Sequence, residues 1–263
     1  MLEDYKKFLI REDCRKQTIR SYLSHIKLFL KQVKINHINK EIVEKYFSQL
    51  NEKYSSASYN LKRSAIKSFL KFLNKNIPLP KSKKVDQKLP EFITEEYFLK
   101  EIISVVECIF TNPLKIKAIL YFLFYAGIRR GEFDNLKRAD IDLERRRAKI
   151  FGKGRKERIV IFSKECAEII RKYFITETEE KNAFNTCGKT VESICYKIKP
   201  YLEEINFHAH ILRHSMATHC LNILRLDIYE VSKLLGHSSI QTTTRYLGLN
   251  LEAIQKKYDK KGK

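Results

Sequence analysis

Pro78-Leu-Pro-Lys-Ser-Lys-Lys-Val-Asp-Gln-Lys-Leu-Pro90 divides this chain in two. Proline fixes φ and has no amide hydrogen to give a helix, so this lysine-rich run reads as an extended tether. Before it, residues 1–76 read as helices only. After it, residues 92–263 read as helices interrupted by one hairpin. The expected organisation is a helical unit over 1–77, a basic linker over 78–91 and a larger unit over 92–263.

Helical periodicity carries the first unit. Ile19, Tyr22, Leu23, Ile26, Phe29 and Leu30 recur at three- and four-residue steps. Asn39 is placed to cap a helix bearing Ile42, Val43, Tyr46, Phe47 and Leu50. A further helix is expected over 58–74, with Leu61, Ala65, Phe69 and Phe72 inward. Lys62, Arg63, Lys67 and Lys71 fall on its polar side. The whole suggests a four-helix module with a basic surface.

In the second unit Thr94 and Asn112 are cap candidates, Pro113 suits a first turn, and Gly127 suits a helix end. Residues 148–151 and 158–162 are rich in β-branched side chains and flank Gly152-Lys-Gly-Arg-Lys156, a hairpin signature. Helices resume from Ser163, apart from an irregular stretch over 176–188. The fold class is therefore mainly α with a small β-hairpin, an α+β second domain behind a helical bundle.

Composition narrows the partners. The chain of 263 residues carries a net charge of +21, of which +13 lies in residues 1–90 and +8 in the rest. Such an excess suits a polyanion, although solubility alone explains it as well. The six cysteines form no Cys-x-x-Cys pair, which fits neither a zinc site nor a disulfide framework. The first residues lack a signal-peptide core, and the most apolar run, 119–126, is too short to span a bilayer. A soluble cytoplasmic protein with no cofactor, no metal and no membrane partner is expected.

The chemistry-bearing residues fall in order: Arg129, Glu132, His210, Arg213, His237 and Tyr246. Breaking a phosphodiester without a metal requires cations already oriented around a doubly negative phosphorane. Arginine offers a planar, permanently charged fork for two oxygens. His210 and Arg213 lie one helical turn apart and can face one point, whereas His214 and His219 fall on other faces. Tyr246 supplies a phenol, which needs neighbouring positive charge to attack at neutral pH. Lys153 at the hairpin turn is placed to donate a proton to a leaving hydroxyl, with Arg155 and Lys156 as rivals.

The ordered set Ala-Gly-Ile-Arg129-x-x-Glu132, Gly-Lys153-Gly, His210-Ile-Leu-Arg213-His, Leu-Leu-Gly-His237-Ser and Thr-Thr-x-x-Tyr246 resembles the tyrosine recombinase (phage integrase) family over roughly residues 92–250. It leans towards the small Xer-type site-specific recombinases. The resemblance implies a helical core-binding domain followed by a catalytic domain. It implies that Tyr246 attacks the phosphate, leaving a 3′-phosphotyrosyl link and a free 5′-hydroxyl. Arg129 and Arg213 would hold the non-bridging oxygens, His210 and His237 would add hydrogen bonds, Lys153 would be the general acid, and Glu132 would orient the arginines. Lys62, Arg63, Lys67, Arg155 and Lys156 would grip double-stranded DNA carrying paired half-sites. Four protomers would exchange strands on two sites through a Holliday junction, coupled by the C-terminal tail. Ala209 departs from the family, which often has proline there. An integrase or transposase of a mobile element and a non-catalytic DNA-binding protein on the same fold are the alternatives. A type IB topoisomerase uses similar residues but fits the box spacing less well.

Overall fold

A computed structural model of the chain describes residues 1–85, 90–152, 157–177, 182–203, 205–237 and 239–246. The chain separates into two compact units, Met1–Gln87 and Lys88–Lys263. Lys153, Arg155, Lys156 and the tail over 247–263 lie outside the described residues.

The first unit is four helices: α1 (Leu2–Arg11), α2 (Lys16–Gln32), α3 (Lys40–Lys53) and α4 (Ser56–Phe72). Their apolar stripes close over Tyr5, Leu9, Ile26, Phe29, Val43, Phe47, Ala65 and Phe69. Asn39 caps α3 as expected, its Oδ1 accepting from Ile42 N at 2.9 Å. The register of α4 differs from the sequence reading. Leu61, expected inward, is 44% exposed, and Lys62, expected on the polar side, is only 6% exposed. The inward stripe runs through Tyr59, Lys62, Ala65, Ile66, Phe69 and Leu70, which places the Lys62 stem in the core. Its ammonium emerges 4.3 Å from the Tyr54 ring centroid and 3.5 Å from His25 Nδ1. Lys67 is exposed, and half-buried Arg63 donates from Nε to Pro80 O at 2.5 Å.

That contact belongs to the way the tether begins. Asn60 bonds both backbone groups of Lys83, donating to its carbonyl at 2.8 Å and accepting from its amide at 2.9 Å. The start of the tether is thus fixed along α4 rather than free, because side chains of α4 supply the partners that its prolines cannot.

The second unit opens with α5 (Glu95–Tyr97), a π turn (Phe98–Ile102) and α6 (Ile103–Ile109) in continuous succession. Thr94 and Asn112 accept the N-terminal amides expected of caps. Helix α7 (Pro113–Ala126) is apolar on every face beyond Lys117 and buried along most of its length, the mark of a central core helix. Phe124 stacks on Phe98 with centroids 4.4 Å apart. Three antiparallel strands follow in the order β1 (Ile141–Asp142), β2 (Arg147–Phe151) and β3 (Glu157–Ile161), with Ala148 opposite Val160 on the buried face. Helices α8 (Lys164–Thr176), α9 (Gly188–Ile198), α10 (Ala209–Asn222), α11 (Ile228–Leu235) and α12 (Gln241–Thr244) follow among the described residues. The protein is mostly helical with one small antiparallel sheet, as the sequence indicates. No helix of the described residues is long and apolar enough to cross a membrane.

Candidate active site

Two left-handed glycines shape the site. Gly127 ends α7 at φ +59°, and a Cβ there would stand 2.8 Å from Met216 Sδ of α10. The chain leaves the helix through buried Ile128 and presents Arg129 at the start of a 3-10 turn (Arg130–Asn135). Gly236 ends α11 at φ +62°, where a Cβ would collide with Arg158 Cδ at 2.6 Å. Only glycine meets both the dihedral and the close approach at these two corners.

Three arginines converge on the C-terminal end of α11. Arg158, on β3, donates from Nε to Leu234 O at 3.0 Å. Arg213, on α10, donates from Nη2 to Leu235 O at 2.5 Å and from Nη1 to Gly127 O. Arg129 donates from Nη2 to Gly236 O at 3.1 Å. Consecutive carbonyls thus each receive a different guanidinium. They are the groups a helix leaves unpaired at its negative end, so three like charges are held close with limited repulsion.

Glu132 binds two of the three. Its carboxylate takes both forks of Arg158 at 2.7 Å each, and accepts from Arg129 N at 2.7 Å and Arg129 Nη1 at 3.2 Å. Burial pushes the Glu132 pKa up, but the Arg158 pairing and the contacts of Arg129 hold it below the usual carboxylate value. Arg213 is 1% exposed. Burial first, then the charges of Arg129 and Arg158, lower its pKa to about 9, which keeps it cationic at neutral pH. Arg129 is the most open of the three, its side chain 41% exposed. Three guanidiniums against one carboxylate leave two uncompensated positive charges.

The histidines are arranged differently from the sequence expectation. His214, read as facing elsewhere, is the partner of Tyr246: its Nδ1 lies 2.6 Å from the phenol oxygen. Tyr246 folds back onto α10, and so meets a residue that a helical projection of α10 alone places away from the site. His210 is solvent-facing, with its ring 4.8 Å from that of His214. His237 Nδ1 lies 2.8 Å from Thr243 Oγ1, which anchors the short α12 leading to Tyr246. His208, unmarked in the sequence reading, caps α10 by accepting from Ile211 N at 3.1 Å.

Tyr246 itself is not displayed at the surface. It is 3% exposed and packs with Met216, Ala217, Cys220, Val231 and Leu235. Burial raises its pKa, and the opposing influence of Arg213, Arg245 and Arg129 does not overcome this. The phenol is therefore protonated and sequestered here, rather than activated as the sequence reading supposes. The arginine cluster is assembled; the phenol is held apart from solvent.

The same burial makes a pH prediction. Desolvation, followed by neighbouring positive charges, lowers the pKa of both His214 and His237 from 6.5 to about 4. Between those values the unfolded chain binds protons that the folded chain does not, so stability falls as pH falls from 6.5 towards 4. Glu132, with a carboxylate pKa below its ordinary 4.5, adds to the loss under more acid conditions. Thermal midpoints recorded across pH 7.5–4.5 should decline steadily below 6.5, less so for His237→Asn. A flat profile would contradict the buried, neutral imidazoles.

Of the residues singled out from the sequence, Arg129, Glu132, Arg213 and His237 meet in one place through the α11 terminus. His210 joins Tyr246 through His214. Arg158 and His214 were missed. Both stand inside motifs that were read, but as a strand residue and as an off-face histidine. Among the described residues no group of His, Cys, Asp or Glu side chains is placed to hold a metal ion.

The model of the phage integrase family matches residues 92–252, and that of the phage integrase N-terminal SAM-like domain matches residues 2–76. Tyrosine recombinase XerA of Thermococcus kodakarensis is 29% identical over 99% of this chain and 94% of its own length. Tyrosine recombinase XerC of Pediococcus pentosaceus is 30% identical over 97% and 95%. The crystal structure of XerA recombinase superposes with a TM-score of 0.56 at 27% identity, covering 98% of this chain and 97% of that one. A lambda integrase dimer bound to a core site shares the fold, with a TM-score of 0.74 at 17% identity over 93% of each chain. The chain belongs to the phage integrase family: it is a tyrosine recombinase, an enzyme of site-specific recombination that cleaves and rejoins DNA strands.

Proposed function

We propose that this protein is an Xer-like recombinase that resolves chromosome or plasmid dimers in the cytoplasm, using Tyr246 as nucleophile. The observation that carries this reading is the convergence of Arg129, Arg158 and Arg213 on one helix end, beside the element bearing Tyr246. Their two uncompensated positive charges match the double negative charge of a phosphorane. Arg129 and Arg213 hold its non-bridging oxygens, with His210 and His237 adding hydrogen bonds. Tyr246 Oη bonds to phosphorus as the P–O5′ bond breaks. The 5′-oxygen takes a proton from Lys153, and the phenol proton passes to a neighbouring base. Because the phosphodiester energy stays in the 3′-phosphotyrosyl link, a 5′-hydroxyl from another strand reseals it without ATP.

The described conformation is a resting one under this reading. Arg213 and Tyr246 are both buried, so bound DNA must draw the phenol from His214 and open the cluster to a phosphate. Lys67 and Arg63 of α4, with Arg155 and Lys156 from the segment between β2 and β3, contact the DNA backbone. The Lys62 ammonium, held against Tyr54, contributes field more than contact. Four protomers act on two duplexes through a Holliday junction, with the tail over 247–263 coupling neighbours.

Two measurements test the proposal. Incubation with genomic DNA bearing random nicks, followed by denaturing isolation of the protein and sequencing of the attached DNA, should recover one site on the chromosome or plasmid it resolves. Recovery of junctions at the ends of a mobile element would replace the Xer-like role with that of an integrase or transposase. Binding should also weaken steeply with salt, by roughly 10³–10⁵ between 50 and 200 mM if about six to ten phosphates are contacted. A slope near zero would remove the phosphate-gripping role of the basic surface.

A further inference from the structure

We infer that Arg158 is a positioning residue of the recombination reaction, holding Glu132 so that the charge of Arg129 stays free for the scissile phosphate. The inference rests on the proposed role of Arg129 as a phosphate-binding group.

The geometry assigns this task to Arg158 rather than a direct one. All three of its nitrogens are already engaged, Nη1 and Nη2 by the two Glu132 oxygens at 2.7 Å and Nε by Leu234 O at 3.0 Å. Its side chain is 10% exposed, against 41% for Arg129. The fork therefore points at a carboxylate, not at solvent where a phosphate arrives. Glu132 in turn touches the backbone amide and one guanidinium nitrogen of Arg129. One carboxylate is thus shared between two arginines, and the shorter, two-pronged contact belongs to Arg158.

Removing Arg158 leaves that carboxylate one arginine to neutralise it. Glu132 is then drawn fully onto Arg129, the nearer remaining cation, and the positive charge offered to a phosphate falls. Arg158 also fixes orientation. Its Nε bond seizes the carbonyl two residues before Gly236, whose own carbonyl holds Arg129. The absence of a side chain at Gly236 is what lets the Arg158 stem pass, since a Cβ there would lie 2.6 Å from its Cδ. Arg158 thus links strand β3 to the turn that carries His237. A buried ion pair is a weak source of stability in itself, so stability alone is a poor reason for this arrangement.

The test compares Arg158→Met, Arg158→Lys, Glu132→Gln, the Arg158→Met/Glu132→Gln double variant and Arg129→Ala, all in the full chain. The rate of covalent adduct formation is measured at saturating nicked duplex, together with duplex affinity and thermal midpoint. Arg158→Met should slow adduct formation by about 10²-fold, the scale of a small misplacement of a catalytic group, while affinity changes less than about threefold. Arg158→Lys, which keeps the charge but holds one oxygen at a time, should recover part of the rate and retain the fold if the Met variant does not. The double variant should be no slower than the slower single one, because both act through one carboxylate. Multiplying effects in the double variant, or affinity falling in step with rate, would overturn the inference. So would a wild-type rate in Arg158→Lys and Arg158→Met with only the midpoint lowered. A wild-type rate in Arg129→Ala would instead overturn the phosphate-binding role on which the inference stands.

Discussion

Tyr246→Phe should bind duplex DNA as the wild type does and form no covalent adduct with it. The ring packs among Met216, Ala217, Cys220, Val231 and Leu235, and phenylalanine keeps every one of those contacts. What disappears is one oxygen, and with it the 2.6 Å bond to His214 Nδ1. Leaving that imidazole without its partner costs about 1 kcal/mol, too little to unfold the unit. The chemical loss is total by comparison, since a benzene ring has no atom able to bond phosphorus. A duplex nicked close to the scissile phosphate should trap wild-type protein as a band stable to denaturant, because the short cleaved fragment diffuses away. The Phe variant should give no such band while shifting the duplex in a native gel at unchanged protein concentration. Equal trapping of the variant would mean that another nucleophile attacks, and the role given to Tyr246 would be wrong.

The buried position of Tyr246 shows where sequence reading stops. Its place in the ordered motif was legible, because that follows from residue types and spacing. Its burial was not, because it depends on how the chain folds back over α10 after Gly236. The same division holds elsewhere. Gly127 was read as a helix end, and both it and Gly236 adopt the left-handed conformation that such ends require. Their second duty was invisible, since it is set by the distant residues Met216 and Arg158. Arg158 passed for an ordinary strand residue because nothing in β3 reveals that Glu132 and Leu234 lie across from it. In α4 the sequence reading placed every lysine on the polar side. Lys62 rather than Leu61 went inward because Tyr59, Ile66 and Leu70 set the stripe and a lysine stem can lie along it. Local geometry is thus written in the sequence, whereas contacts between distant segments are settled by packing.

Arg213 carries the second large effect. Arg213→Ala should lower the single-turnover cleavage rate by about 10²–10³-fold, the range for loss of one preorganised donor to a developing oxyanion. Affinity for uncleaved duplex should change far less, because the guanidinium is 1% exposed and makes no surface contact. The two effects should separate if, as proposed, the charge is presented only once the cluster opens to the phosphate. Stability needs its own control. The alanine variant leaves Leu235 O and Gly127 O without their donor and opens a void where the side chain lay, a loss of roughly 2–4 kcal/mol. Arg213→Lys retains charge and most of the volume, so it should keep more of the thermal midpoint. It should still cleave slowly, since one ammonium cannot serve two carbonyls and a phosphate together. Rates measured well below the midpoint of each variant, set beside duplex affinities, decide between the roles. If cleavage and binding fall together, or if cleavage returns wherever the fold is intact, Arg213 is a structural arginine and the oxyanion is stabilised by Arg129 and the histidines without it.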